Sequence, residues 1–239
     1  MAVLPVHTLE NRRLESFLER HKAHYPYSGE IEIDPLRIPV LTSEFGRETG
    51  LRLLAGDALA ATFAEWLERA GWGPPAILLA NLPYNVATPI LLAAIEEPGT
   101  IDRAVVTVQR EVARRFIAGP GEEGYGYLSV RAAAAATGRV LFDLPPSAFR
   151  PRPKVVSSVL ELRPRRDRLA PAVRRQVLEV ASLAFRSRRK TLANALSSLG
   201  GRSRWEAALA GRGLDPRVRG ENLSLDDFVA LAREAGSFG

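Results

Sequence analysis

The stretch AILLANLPYNVATPIL, residues 76–91, decides the fold: an unbroken apolar run gives way to asparagine, proline and an aromatic ring, and apolar spacing then resumes. An apolar run entered through Gly73, Pro74 and Pro75 reads as a strand buried on both faces. The pattern over 88–96 predicts a helix. A fully buried strand followed by a helix belongs to a largely parallel α/β sheet, and the flanking sequence agrees. EIEID (30–34), LRLLA (51–55) before Gly56, and AVVTVQ (104–109) read as strands. Helical spacing covers 39–50, 61–71 and 111–117, and LSVRAAAAATG (128–138) reads as a helix that absorbs the alanine run. VLFDLP (140–145) is a strand, and VVSSVLELRP (155–164) a further one, antiparallel, at the end of the sheet.

From Ala170 onward only helical patterns occur, over 171–187, 190–201, 204–213 and 223–236. The charged, proline-bounded RPRRDRLAP places a boundary near residue 167. Three parts are therefore expected: an N-terminal segment 1–29 carrying an amphipathic pattern over 8–24, an α/β domain over 30–167, and a helical domain over 168–239.

Composition narrows the chemistry. Cysteine is absent and the 3 histidines, His7, His21 and His24, all lie near the start, so disulfides and thiolate catalysis are excluded and no metal site is expected. No run approaches the roughly 18 apolar residues of a membrane span, and the N-terminus lacks a signal-peptide layout. A cytoplasmic protein with no membrane partner is expected. The net charge of +6 is unevenly held: residues 1–100 carry −5 and residues 101–239 carry +11. A segregated basic surface suits a polyanion, whose counterions are displaced on binding.

At the end of a buried strand, where ligands of open α/β sheets gather, Asn81 offers an amide acceptor and donors. Pro83 stiffens the turn, and Tyr84 adds a flat apolar face. These groups could hold an exocyclic amine while a purine stacks on the tyrosine. A plain strand-ending turn with Tyr84 in the core is the alternative.

NLPYNVATPIL (81–91), VQREVARRF (108–116), YGYLSV (125–130), FRPRPKVVSSVL (149–160), FRSRRKTLANAL (185–196) and ENLSLDDFVALA (221–232) together resemble the small-subunit ribosomal RNA adenine dimethyltransferases. They are more distantly similar to the erythromycin-resistance RNA methyltransferases. The resemblance implies a Rossmann-like class I methyltransferase sheet, N-terminally incomplete, with a small all-helical C-terminal domain. It implies use of S-adenosylmethionine to dimethylate N6 of two adjacent adenines near the 3′ end of small-subunit rRNA, by a monomer acting on the rRNA or the 30S pre-ribosomal particle. Asn81, Leu82, Pro83 and Tyr84 would form the base-binding and transfer motif, and Phe149 would close over the adenine opposite Tyr84. Glu32 would take the cofactor's ribose hydroxyls and Asp57 its adenine amino group, with Asn81 also beside the cofactor. Arg150, Arg152, Lys154, Arg186, Arg188, Arg189 and Lys190 are the expected RNA contacts.

The family also opens with a strand and a glycine-rich E-x-G-x-G turn. Here Gly29 is the only glycine before Glu32, and residues 1–29 match nothing of that pattern. A loop without glycines would keep backbone N–H groups from approaching a ligand closely, so weak or absent binding of S-adenosylmethionine is the expectation. A misread or frameshifted start, a deletion product, and a protein that keeps RNA binding without methylation all fit. Two other functions stand beside the first: a non-catalytic rRNA-binding or ribosome-assembly module, and a resistance-type methyltransferase acting on 23S rRNA.

Overall fold

The structure is a computed structural model that describes residues 28–45, 51–186, 190–215 and 217–236. Its chain divides into two compact units, one of residues 1–113 and 136–164, the other of residues 114–135 and 165–239. The 8–24 helix expected from the sequence lies outside the described residues.

The first unit is built on parallel strands joined by helices. β1 (Ser28–Glu32) pairs in parallel with β2 (Leu51–Ala55), and α1 (Arg37–Phe45) connects them. α2 (Phe63–Arg69) follows, then β3 (Ala76–Asn81), α3 (Ala87–Glu96) and β4 (Ile101–Gln109), with β3 and β4 also parallel. α4 (Arg110–Ile117) leaves the end of β4 and carries the chain into the second unit, whose α5 (Tyr127–Ala133) precedes the return to the first unit at β5 (Ala136–Leu144). The last strand, β6 (Ser157–Pro164), is antiparallel to both β4 and β5.

Among the described residues these strands make two sheets, β1-β2 and β3-β4-β6-β5. An apolar cavity lined by Gly29 and Ile31 of β1, Leu54 of β2, Trp66 of α2, Ala76 of β3 and Ile101 of β4 lies between them.

Local chemistry sets these elements. Thr62 caps α2: its hydroxyl accepts the Glu65 N–H and the Glu65 carboxylate accepts the Thr62 N–H, which satisfies two donors the helix cannot pair itself. Two more, the N–H groups of Phe63 and Ala64, donate at 2.8 Å to the carboxylate of Glu97, at the end of α3. Gly56 ends β2 at φ +150°, where a side chain is strained, and a Cβ there would lie 2.8 Å from the Trp66 ring.

Two sequence expectations need correction. The alanine run is not all helix: α5 stops at Ala133, and Ala136 already pairs with Pro164 in the sheet. Cross-strand hydrogen bonding overrides helix propensity there. VVSSVLELRP does not close the sheet: β6 lies between β4 and β5, and β5 forms the edge. Burial matches this order, since β6 is buried from Ser157 through Leu162, whereas Thr137, Gly138 and Arg139 of β5 are exposed.

The second unit is helical. α6 (Pro171–Arg186), α7 (Leu192–Ala195), α8 (Arg202–Gly211) and α9 (Leu225–Gly236) enclose a core of Val177, Val180, Trp205, Leu209, Phe228 and Leu231, joined by Tyr125 and Val130 of the 114–135 excursion.

Candidate active site

β3 is buried from Ala76 to Ala80 and reaches the surface at the partly exposed Asn81. Leu82, 2% exposed, anchors the chain beneath the turn, and its N–H donates to the Thr107 carbonyl of β4 at 3.2 Å. The Pro83 carbonyl accepts the Val86 N–H at 3.1 Å, folding Tyr84 and Asn85 over the start of α3. This is why a buried strand ends in so abrupt a sequence: leucine holds the turn down, proline rigidifies it, and the groups on either side are delivered to the rim.

Tyr84 is half-buried, neither sealed in the core nor loose in solvent. Its hydroxyl is 2.7 Å from the Ser157 hydroxyl at the start of β6, where either oxygen can donate. Ser157 was missed by sequence reasoning, although the pair of small polar residues opening VVSSVL is the signal that marks it. Phe149, at 7% exposure, is packed with Ile77, Leu79, Val105, Leu144 and Val159. It follows a short 3-10 turn over Pro146–Ala148, and its ring occupies the core cluster instead of standing in solvent. Arg150, Arg152 and Lys154 beyond it are all exposed.

Glu32 ends β1 and is mostly covered, its side chain 14% exposed. One carboxylate oxygen accepts the Asp34 N–H at 2.8 Å and the other lies 3.8 Å from the Arg37 guanidinium. The Glu32 carbonyl accepts the Gly56 N–H at 2.9 Å, which ties the end of β1 to the turn after β2. Asp57 is exposed in that turn; one of its oxygens accepts the Leu59 N–H at 2.9 Å and its carbonyl the Ala60 N–H. Each acid is therefore oriented by a backbone N–H two residues on; the second oxygen of Glu32 faces Arg37, and that of Asp57 is left for an incoming donor. Glu32, Asp57 and Asn81 stand at the C-terminal ends of β1, β2 and β3.

One further acid was overlooked. Glu30 points to the same face of β1 as Glu32, two residues away, and is 3% exposed with its Oε1 unpartnered. Burial, and then the charge of Glu32, push its carboxyl up to about 7.

In the helical unit Arg186 and Lys190 are exposed, while Arg188 and Arg189 lie outside the described residues. Among the described residues no group of three or more His, Cys, Asp or Glu could hold a metal ion, and no helix is long and apolar enough to cross a membrane.

Comparison with known proteins follows the same lines. The sequence model of the family described as ribosomal RNA adenine dimethylase matches residues 16–236, beginning ahead of β1. A "ribosomal RNA small subunit methyltransferase A" of Mesorhizobium japonicum is 42% identical over 185 residues, covering 76% of this chain and 64% of its own length. The protein of the same name from Rubrobacter xylanophilus is 42% identical over 203 residues, covering 85% and 74%. The chain thus spans 64% of the length of the first of these relatives. Among solved structures, a dimethyladenosine transferase from Plasmodium falciparum superposes with a TM-score of 0.74 at 19% identity, covering 98% of each chain. The 23S rRNA methyltransferase ErmE superposes at 0.69 and 21% identity, covering 95% of this chain and 99% of its own. At such identities the likeness establishes the fold, the Rossmann-like class I sheet with a helical C-terminal part.

Proposed function

The chain belongs to the ribosomal RNA adenine dimethylase family, and from that premise we propose that it transfers methyl groups to N6 of two adjacent adenines near the 3′ end of small-subunit rRNA, acting in the cytoplasm as a monomer. The observation that carries this reading is the rim of β3: a partly exposed carboxamide and a half-buried tyrosine, both fixed by the backbone of one rigid turn. The relatives at 42% identity are named for the small subunit, which favours that substrate over 23S rRNA.

The strand-end acids suit S-adenosylmethionine, which when bound supplies an electrophilic methyl on a sulfonium, but no glycine-rich turn stands ahead of Glu32 in residues 1–29, so binding is expected to be weak. Glu32 would accept from ribose hydroxyls and Asp57 from an adenine amine. Asn81 then faces two ways, toward the cofactor and toward the base. The target adenine, drawn out of its stack, would lie on the Tyr84 ring with its amino group donating to the Asn81 amide oxygen and the Leu82–Pro83 main chain. Neutral oxygens that accept the amine's protons aim its lone pair at the methyl, so positioning does the catalysis and no strong base is needed. Phe149 would complete the sandwich only by leaving its seat beside Leu144 and Val159, since there its ring is buried. Arg150, Arg152 and Lys154 on the same loop, with Arg186, Arg188, Arg189 and Lys190 of the helical part, would hold the RNA by its phosphates.

A second reading, RNA binding without methylation, draws on the division of strands into two sheets between β1 and β3, because Glu32 and Asn81 then stand on separate sheets. Incorporation of labelled methyl groups into unmodified small subunits separates the two. Asn81→Ala is expected to lower it by about 10²-fold or more, the usual cost of removing one preorganised polar group at a transition state. Salt-sensitive RNA binding by the unaltered chain with no incorporation would leave only the second reading.

A further inference from the structure

Away from the β3 rim, β4, β6 and β5 carry three arginines directed at one acid. Glu161 of β6 is in register with Val105 of β4 and Arg139 of β5. Arg163 lies two residues further along β6, and Arg103 two residues before Val105, so by the two-residue alternation of strands all four side chains share one face. Arg139 Nε donates to Glu161 Oε2 at 2.8 Å and Arg163 Nη2 to Oε1 at 2.9 Å, and Arg103 Nε stands 3.6 Å from Oε1. Glu161 itself is 4% exposed. Burial would raise its carboxyl, but the hydrogen bonds and charges of Arg139 and Arg163 outweigh that and hold it below the usual range.

One buried carboxylate balances one arginine. Arg139 and Arg163 already outnumber it, and they keep their charge outward: their side chains are 71% and 48% exposed. Arg139 gives Glu161 only its Nε and Arg163 only one terminal nitrogen, so the remaining donors of both forks face solvent. A guanidinium pinned on one side by a carboxylate loses little rotamer freedom when its other side engages a phosphate. The exposed Thr137, in register with Arg163, adds a hydroxyl to the same patch.

We propose that the arginine fan anchored on Glu161 is a docking site for the phosphates of an RNA backbone, additional to the cations of the 149–154 loop and of the helical unit. The proposal rests on the reading that this protein acts on RNA. A free anion needs a single fork. Cations spread over three adjacent strands, roughly 10 Å across at about 4.8 Å per strand, suit a chain of successive phosphates. Protection of the β5 edge against stray pairing would need only an exposed charge, with no buried acid to hold it in place.

The test measures affinity against salt for two probes, unmodified small-subunit rRNA and an unrelated RNA duplex, with the unaltered chain and with Arg139→Gln/Arg163→Gln. Phosphate contacts release counterions, so the double variant is expected to lose about two from the slope of log affinity against log salt, and to weaken alike for both RNAs. An unchanged slope in the folded variant overturns the proposal. Should the variant not fold, modification of the unaltered chain by phenylglyoxal decides: RNA must lower the reaction of Arg139 and Arg163, and equal reaction with and without RNA overturns the proposal. If the unaltered chain methylates small subunits while the slope stays put, only the fan is lost. If it binds neither RNA in a salt-dependent way, the RNA reading fails with it.

Discussion

The two compact units solve the same problem by different means. In the helical unit each element pairs most of its own backbone, and what remains is fixed by point contacts: the Tyr125 hydroxyl donates to the Leu223 carbonyl, the Trp205 indole N–H to Leu199, and the Leu192 N–H to Val218. Its core side chains, Val177, Trp205, Phe228 and Leu231 among them, are fully buried. Strands, by contrast, depend on neighbours for every main-chain hydrogen bond. In the sheet unit that dependence shows as a division between β1 and β3, bridged by apolar packing around Trp66 instead of a ladder. The candidate residues Glu32, Asp57 and Asn81 all stand at strand ends in this unit. The unit with the self-contained core and the chemically equipped one are thus different parts of the chain.

The largest effect should come from breaking the closed unit. Trp205→Ala removes the largest fully buried side chain of its core, and a loss of about 3–5 kcal/mol is expected in urea unfolding followed by circular dichroism. A loss under about 1 kcal/mol would mean that this core is not the tightly packed one, and the contrast between the units would collapse.

A smaller, pH-dependent effect belongs to the sheet unit. Glu30 has its carboxyl raised from 4.5 to about 7, chiefly by burial and next by Glu32, with Arg37 opposing. A raised acid binds its proton more tightly when folded, so its contribution is fully present below pH 4.5, declines as pH climbs to about 7, and is gone beyond. The decline should be on the order of 2–3 kcal/mol. Glu30→Gln, which keeps the shape and cannot ionise, should flatten that slope and make the protein the more stable at pH 8. A slope unaltered in Glu30→Gln would place its origin elsewhere and show that the face of β1 carrying Glu32 is wetter than its burial indicates.

Much of this arrangement was legible from the chain alone. AILLA could be read as a buried strand because it has no polar residue to place on a solvent face, and LRLLAGDAL as a strand and turn because a glycine breaks its apolar run; the structure adds that a Cβ at Gly56 would strike Trp66. The helical patterns after Ala170 reappear as α6 to α9. What escaped was decided by pairing at a distance. Nothing within 128–138 says that Ala136, Thr137 and Gly138 will find Pro164, Arg163 and Leu162, and without those partners an alanine run reads as helix. Nor does periodicity reveal that residues 114–135 pack with the C-terminal helices, since the link is made by single contacts such as Tyr125 to Leu223 and Phe185. Of the candidate site, the identities of Asn81, Tyr84, Glu32 and Asp57 could be read. The Tyr84–Ser157 bond could not, because it joins residues 73 positions apart in sequence.

That bond offers the smallest and sharpest test. Tyr84→Phe removes the hydroxyl, keeps the ring, and leaves the buried Ser157 hydroxyl without this partner, so stability should fall by roughly 0.5–1.5 kcal/mol. In a cycle with Ser157→Ala the two changes should couple by a similar amount, because both act on one contact. Methyl incorporation should respond differently. If the exposed face of the ring is what holds a base, the phenylalanine variant retains it and loses only the restraint on the ring's angle, an effect within a few-fold. Tyr84→Ala removes the face and with it stacking worth about 1–3 kcal/mol. Equal losses in the two variants would mean that the hydroxyl, and not the ring, is the working part, and that the rim of β3 grips its substrate by polar contacts alone.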